Sequence, residues 1–167
     1  MNSLGIIGGG QLGMFICQAA KKLGIKTSVL SESEEFSARN FCDQFFVGKF
    51  NNFDILNNFI NSANFFTIET ENIPLKILEK IASKKKLFPN PGVIKICQNR
   101  LKEKKFLNSL NNIKTAKFFN IDSFEDLKKN LKIINNNGIL KTSEFGYDGK
   151  GQYKIRDGKI DKLKGLK

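Results

Sequence analysis

A glycine-rich segment between two apolar stretches is the feature that most constrains how this chain can fold. The segment reads Gly8-Gly9-Gly10-Gln11-Leu12-Gly13 and fits the pattern G-x-G-x-x-G. The apolar run before it predicts a buried strand, and apolar residues at helical spacing after it predict a helix that ends at Gly24. A strand, a tight turn and a helix in this order begin a βαβ unit. Its glycines either present backbone N–H groups to an anion or only permit close packing.

The alternation of strands and helices continues along the first part of the chain. We predict strands at 4–7, 27–30, 44–47, 65–68 and 87–88, helices at 12–23, 56–60 and 74–81, and a turn at 89–92. The inward face of the first helix is predicted to comprise Leu12, Ile16, Ala19, Ala20 and Leu23. This pattern favours an α/β fold, a Rossmann-like parallel sheet covered on both faces, over residues 1–97.

Residues 98–167 have a different pattern, which predicts a smaller α+β unit. Helices are expected at 99–110 and after a capping-box-like start at Ser123–Asp126, and strands at 116–121, 139–142 and 152–155. The polar segment after residue 156 provides little apolar material for another layer. The second unit is therefore predicted to be incomplete.

The composition excludes several kinds of chemistry. The 167 residues contain no His, which rules out His-based nucleophile systems and His-ligated zinc. The formal net charge is +12, and residues 84–167 hold 21 of the 28 basic residues. Only three of the 28 basic residues are Arg. Because base-reading surfaces favour Arg, this charge predicts a Lys-rich solvated surface with an anion site, and no nucleic-acid partner.

Two further properties bear on the cellular setting. The sequence has no apolar run of about 18 residues and no secretory pattern at its start, so we expect a cytoplasmic protein that does not associate with membranes. The three Cys residues form no C-x-x-C pair. This spacing predicts reduced, mostly packed thiols.

Two other segments carry candidate chemistry. Glu69 and Glu71 follow the predicted strand 65–68, at the edge where open parallel sheets bind ligands, and either accept hydrogen bonds from a substrate or are only solvated. The glycine-rich segment 145–152 lies between two predicted strands, so it either folds its amides over phosphates or forms only a mobile hairpin. Lys141 lies in the apolar strand before this segment, and an inward Lys requires an anionic partner.

The order of five motifs resembles that of a known family. The motifs are GIIGGGQLGM, TIETEN, ICQNRLKEKKFL, ILKT and FGYDGKGQ, and together they extend to residue 156. They are similar to motifs of the N5-carboxyaminoimidazole ribonucleotide synthase family of ATP-grasp ligases. The resemblance implies a pre-ATP-grasp domain at 1–97, followed at 98–167 by an interdomain helix and the start of the ATP-grasp domain.

The resemblance also implies a reaction and its participants. ATP and bicarbonate would form carboxyphosphate, which would carboxylate the exocyclic amine of 5-aminoimidazole ribonucleotide and release ADP and phosphate. Family members need Mg²⁺ and are expected to be homodimers. Their acidic Mg²⁺ ligands lie in family sequence beyond the matched motifs, so we expect no metal ligand here. By the same reasoning we expect the chain to be truncated and inactive alone.

Roles follow from the resemblance residue by residue. The implied ATP-binding residues are Arg100, Lys141, Gly146, Tyr147, Asp148, Gly149, Lys150, Gly151 and Gln152. The implied substrate-binding residues are Gln11, Leu12, Glu69 and Glu71. Tyr147 is also the implied catalytic residue, because it would project from the closing loop toward the substrate.

The sequence differs from the family pattern at three places. Asn99 and Ser31-Glu32 stand where the family usually has Asp, and Ser143-Glu144 places a negative charge before the closing loop.

Three other functions stay open. A related ATP-grasp enzyme acting on glycinamide ribonucleotide would be similar over the same span. An NAD-dependent oxidoreductase would use the first glycine motif and Glu32. A noncatalytic nucleotide- or RNA-binding module would account for the charge.

Overall fold

The structure is a computed structural model that describes residues 2–144, 146, 151–160 and 163. The chain divides into two compact units, Met1–Lys95 and Ile96–Lys167. In the described part of the chain, no helix combines the length and apolar character needed to cross a membrane.

The first unit is a doubly wound α/β sheet. Its elements are β1 (Ser3–Ile7), α1 (Gln11–Lys22), β2 (Lys26–Ser31), β3 (Gln44–Val47), α2 (Phe53–Asn61), β4 (Phe65–Ile68), α3 (Leu75–Ala82), β5 (Lys86–Phe88) and α4 (Pro91–Cys97). All adjacent strands are parallel, and their order is β3-β2-β1-β4-β5. This sheet confirms the predicted fold class.

The alternation of side chains along the strands divides the core into two layers. Ile6 and Val29 face α1, whereas Ile7 and Leu30 face the opposite layer, which includes α2 and α3. In that second layer the ring of Phe59 lies between those of Phe46 and Phe66, at centroid distances of 5.8 Å and 5.1 Å. Both faces of the sheet are therefore covered, as parallel sheets require.

The inward face of α1 differs from the prediction. The buried residues are Gly13, Cys17 and Ala20, whereas Leu12 is 60% exposed and Leu23 75% exposed. Small residues face the sheet because α1 packs closely on it: a Cβ atom on Gly13 would lie only 2.9 Å from the carbonyl oxygen of Gly8. Leu12, Phe15 and Leu23 are directed away from the sheet, whereas Ile16 and Ala20 lie on the inward face as predicted.

The predicted turn at 89–92 was also wrong in part. Helix α4 begins at Pro91, which suits a first helical position because proline lacks an N–H and has a fixed φ. The side chain of Asn90 accepts a hydrogen bond from the Gly92 N–H (2.8 Å). Pro91 and Ile94 are buried, so this short helix belongs to the layer that covers the sheet.

The second unit contains α5 (Arg100–Ser109), α6 (Phe124–Ile133) and an antiparallel hairpin of β6 (Gly138–Lys141) and β7 (Gln152–Ile155). The Ser123 hydroxyl accepts a hydrogen bond from the Asp126 N–H (3.0 Å), as the predicted capping start requires. Leu127 and Leu131 of α6 pack with Ile155 of β7 in a small core.

The predicted strand at 116–121 is wrong. Residues 113–122 have no regular secondary structure. Among the described residues, the second sheet consists of β6 and β7 only. The alternating pattern of the segment was not sufficient, because a strand also needs a neighbour to pair its N–H and C=O groups.

Candidate functional site

The strand order reverses between β1 and β4. From β1 the chain continues to β2 and β3 on one side, and it then returns to β4 and β5 on the other. The residues that follow these two central strands are Gly8 and Glu69, and the Glu69 N–H donates to the Ile7 carbonyl (2.8 Å). Connections diverge at such a point, which is where open α/β sheets bind ligands.

The Glu69 carboxylate lies against the glycine segment. A Cβ atom on Gly10 would be 2.2 Å from Glu69 Oε1, and one on Gly8 would be 2.5 Å from Oε2. Glu69 is half-buried, and within the described part of the chain its carboxylate has no hydrogen bond or ion pair. It is therefore available to accept hydrogen bonds from a ligand in the crevice.

The opposite side of the glycine segment is covered by residues 36–38. A Cβ atom on Gly9 would lie 2.4 Å from the ring of Phe36, and the Ala38 N–H donates to the Gly9 carbonyl (2.9 Å). The glycines thus permit close packing. No sequence pattern indicated this wall, because Phe36 follows a polar loop without apolar periodicity.

These contacts argue against a dinucleotide site. A pyrophosphate would have to approach the glycines between the Phe36 ring and the Glu69 carboxylate, whose negative charge would repel it. Glu32, which would hold the ribose in an NAD site, instead accepts a hydrogen bond from the Phe50 N–H (3.0 Å). The glycine segment and Glu32 are both occupied by contacts within the protein.

The other implied substrate-binding residues lie near this edge of the sheet. Gln11 and Leu12 are exposed in the first turn of α1, whose N-cap, Gly10, provides no side-chain cap. Glu71 is exposed in the connection that follows β4. The structure thus brings Gln11, Leu12 and Glu69 to the carboxyl edge of the central strands.

In the second unit, Arg100 holds the start of the segment that joins β6 to β7. Its guanidinium donates to the carbonyl of Thr142 (2.9 Å) and to that of Gly146, and its backbone N–H donates to the carbonyl of Ser143 (2.9 Å). A guanidinium has several N–H donors, so these bonds leave capacity for a phosphate. The implied role of Arg100 in binding ATP remains a prediction.

The prediction that Lys141 points inward was wrong. Lys141 is exposed at the end of β6, on the same face as Ile139, which is 53% exposed. Leu140, on the other face, packs against the α6 core. In the described part of the chain the Lys141 ammonium has no polar partner, so it can approach an anionic ligand without losing an ion pair.

The remaining implied ATP-binding residues lie at or within the β6–β7 connection. Gln152 pairs with Lys141 at the end of the hairpin, and the Thr142 N–H donates to the Gly151 carbonyl (2.9 Å). Gly151 has a φ of +65°, which a residue with a Cβ atom adopts only with strain. Gly146 accepts the bond from Arg100. Tyr147, Asp148, Gly149 and Lys150 lie outside the described residues.

No cluster of metal ligands is evident in the described part of the chain, and the three thiols have different environments. There, no three acidic, His or Cys side chains lie close enough together to hold a metal ion. Burial raises the pKa of the Cys17 thiol, and it raises the pKa of Cys42 to about 11. Cys17 is buried and Cys42 partly buried, in keeping with the expectation of mostly packed thiols, whereas Cys97 is exposed.

A parallel sheet whose strand order reverses at its centre defines the class of Rossmann-like α/β domains. The ribonucleotide synthetase preATP-grasp domain family matches residues 1–98, and the ATP-grasp domain family matches residues 106–163. The chain belongs to the ribonucleotide synthetase preATP-grasp family.

Named relatives support the resemblance drawn from the motifs. The bifunctional purine synthesis protein purC/E of Dictyostelium discoideum is 37% identical over 156 residues, which are 93% of this chain and 16% of that protein. The N5-carboxyaminoimidazole ribonucleotide synthase of Brucella melitensis is 34% identical over 154 residues, which are 92% of this chain and 42% of that enzyme.

A solved structure is similar over the same span. The crystal structure of N5-carboxyaminoimidazole synthetase from Staphylococcus aureus in complex with ADP superposes with a TM-score of 0.86 at 34% identity, covering 93% of this chain and 41% of that one. The chain therefore spans about two fifths of the length of these two synthases.

Proposed function

We propose that this chain contributes to the ATP- and bicarbonate-dependent carboxylation of 5-aminoimidazole ribonucleotide, which yields N5-carboxyaminoimidazole ribonucleotide in purine biosynthesis. The observation that carries the proposal is the position of Glu69, a half-buried carboxylate against the glycine segment at the switch point. It occurs in a chain that is 34% identical to the Brucella melitensis synthase over 154 residues.

The first unit would bind the ribonucleotide. The Glu69 carboxylate would accept hydrogen bonds from the exocyclic amine or the ribose hydroxyl groups, because an ionised carboxylate offers only acceptors. The exposed side chains of Gln11 and Leu12 lie at the same edge and would contribute a polar and an apolar contact. The role of Glu71 in this site is part of the proposal.

The second unit would bind the nucleotide. Lys141 would contact its phosphates, and the connection from Gly146 to Gln152 would cover them. Cationic groups and backbone N–H groups offset the charge that develops during phosphoryl transfer, and a covering loop keeps water from a short-lived acyl phosphate. Tyr147, Asp148, Gly149 and Lys150 belong to this part of the proposal.

Further parts of the proposal come from the family resemblance. They are Mg²⁺ bound with ATP, bicarbonate as the second substrate, a homodimer, a cytoplasmic location, and a division into domains 1–97 and 98–167. The described residues supply no cluster of metal ligands, so we assign none of them to Mg²⁺.

Ligand-induced thermal stabilisation of the 167-residue chain tests the proposal. We expect 5-aminoimidazole ribonucleotide and Mg-ADP each to raise the Tm, since a ligand at about 100 times its Kd stabilises by about 2.7 kcal/mol. E69Q should abolish the shift with the ribonucleotide, and K141A should reduce the shift with ADP. E79Q and K132A, at exposed positions of α3 and α6, are the matched controls and should leave both shifts unchanged.

Two results would overturn the proposal. One is stabilisation by NAD without stabilisation by ADP or the ribonucleotide, which would favour the oxidoreductase alternative. The other is stabilisation by glycinamide ribonucleotide in place of 5-aminoimidazole ribonucleotide. Robust single-turnover formation of ADP by the 167-residue chain, dependent on bicarbonate and 5-aminoimidazole ribonucleotide, would contradict the expectation that the chain is inactive alone.

A further inference from the structure

The start of the β6–β7 connection is bound to the first turn of α5. Arg100 donates its backbone N–H to Ser143 and its guanidinium N–H groups to the carbonyls of Thr142 and Gly146. A fourth bond links side chains: the Asn99 Nδ2 donates to Glu144 Oε1 (2.9 Å). The connection is thus joined to the helix by two consecutive residues, the N-cap of α5 and its first residue.

Both the oxygen and the nitrogen of the Asn99 side-chain amide form hydrogen bonds. Its Oδ1 accepts from the Lys102 N–H (3.0 Å), which caps α5, while its Nδ2 donates to Glu144. An Asp at this position could cap the helix equally well but would place a second carboxylate against Glu144. A Ser could cap the helix, but one hydroxyl group would then have to accept from the Lys102 N–H and donate to Glu144 from the same oxygen atom.

We propose that Asn99 and Glu144 are a positioning pair for the β6–β7 connection, in which the Asn99 amide couples the cap of α5 to the Glu144 carboxylate. The pair holds Thr142, Ser143, Glu144 and Gly146 near the start of α5, so that Arg100 keeps its carbonyl partners. The Glu144 carboxylate also lies near the N-terminus of α5, where the helix dipole attracts negative charge.

Hydrogen exchange at two backbone amides of the full chain tests the pair. The Arg100 amide is the first of the helix and has no partner within it, so its protection reports the bond to Ser143. The Lys102 amide reports the cap instead. In N99D we expect protection at Arg100 to fall about three- to tenfold, because an attraction becomes a repulsion, while protection at Lys102 changes less than about twofold.

A second substitution distinguishes pairing from general loosening. N99D/E144Q exchanges the two groups: the side-chain amide now at position 144 can donate to the carboxylate now at position 99. We therefore expect protection at Arg100 to return to the level of the unsubstituted chain. E125Q, at an exposed position of α6, is the control and should change neither amide. Unchanged protection at Arg100 in N99D, an equal loss at Lys102, or no recovery in N99D/E144Q would each overturn the inference.

The positioning pair depends on the proposed function only for the expectation that the β6–β7 connection binds a nucleotide. ADP affinity, measured by calorimetry on the same variants, separates the two claims. We expect it to fall in N99D and recover in N99D/E144Q. If protection follows the expected pattern while ADP affinity stays constant, the positioning pair is supported and the nucleotide role of the connection is wrong.

Discussion

At the scale of single residues, the glycines of the 8–13 segment differ in the atoms that an added Cβ would contact. Beside Gly10 lies the end of a Glu69 side chain, which can rotate away, whereas beside Gly13 lies a backbone carbonyl oxygen, which cannot. The same added methyl group should therefore have different costs at two positions of one motif. Close packing of α1 on the sheet explains why position 13 is glycine, and the placement of the Glu69 carboxylate explains why position 10 is glycine.

This difference can be measured with two alanine variants. We expect G13A to lower the free energy of unfolding by about 1–3 kcal/mol, because α1 must shift from the sheet, and G10A to lower it by less than about 1 kcal/mol. Chemical denaturation of both variants gives the comparison. A larger loss in G10A than in G13A would contradict this account of the segment.

Thiol reactivity should follow the environment of each cysteine. The pKa of Cys42 is raised to about 11, so at pH 8 only about one molecule in a thousand carries the thiolate, which is the reactive form. We expect the exposed Cys97 to be labelled first and C97S to remove the fast phase. Labelling of Cys42 should accelerate about tenfold per pH unit up to about pH 11.

The same pKa shift has a consequence for stability. Because the thiol pKa is higher in the folded state than in the unfolded state, the unfolded chain loses its proton first as the pH rises. The stabilisation from burying the neutral Cys42 is therefore complete below the ordinary thiol pKa and is lost as pH approaches 11. C42A should show a weaker loss of stability over this alkaline range.

At the scale of elements, the start of α6 was predicted better than the inward face of α1. The Ser123 cap could be predicted because it depends on residues three apart in the chain. The inward face of α1 could not, because the sheet beneath it accepts small residues and leaves Leu12 exposed. Likewise the pattern at 116–121 was typical of a strand, but it lacks a neighbouring strand among the described residues.

The Ser123 cap provides a test at this scale. S123A removes the acceptor for the Asp126 N–H and should lower the free energy of unfolding by about 0.5–2 kcal/mol. S123D retains an acceptor and should recover most of the loss. Thermal denaturation followed by circular dichroism measures both, and equal losses in the two variants would show that the hydroxyl does not act as a cap.

At the scale of the whole molecule, positive charge is concentrated in one part of the sequence. Residues 84–167 contain 21 basic and 8 acidic side chains, whereas residues 1–83 contain 7 and 8. We interpret this as a Lys-rich surface with a phosphate site, because three Arg residues in the whole chain offer little capacity for reading bases.

This interpretation predicts how RNA behaves with the chain. Binding of a short single-stranded RNA at about 50 mM salt should be nonspecific and should fall steeply by about 200 mM, because it comes from counterion release alone. Fluorescence anisotropy with two unrelated RNA sequences measures this. Binding that persists at the higher salt and differs between the sequences would favour an RNA-binding module.

The order of amino acids was enough to establish the succession of strands and helices in the first unit, the exclusion of His chemistry and the motifs that carry the family resemblance. These properties depend on residues close together in the chain. The folded chain was needed to show that Glu69 lies against Gly8 and Gly10, and that Asn99 reaches Glu144 across 45 positions. Such contacts depend on which strands pair and in what order, and local patterns do not encode that order.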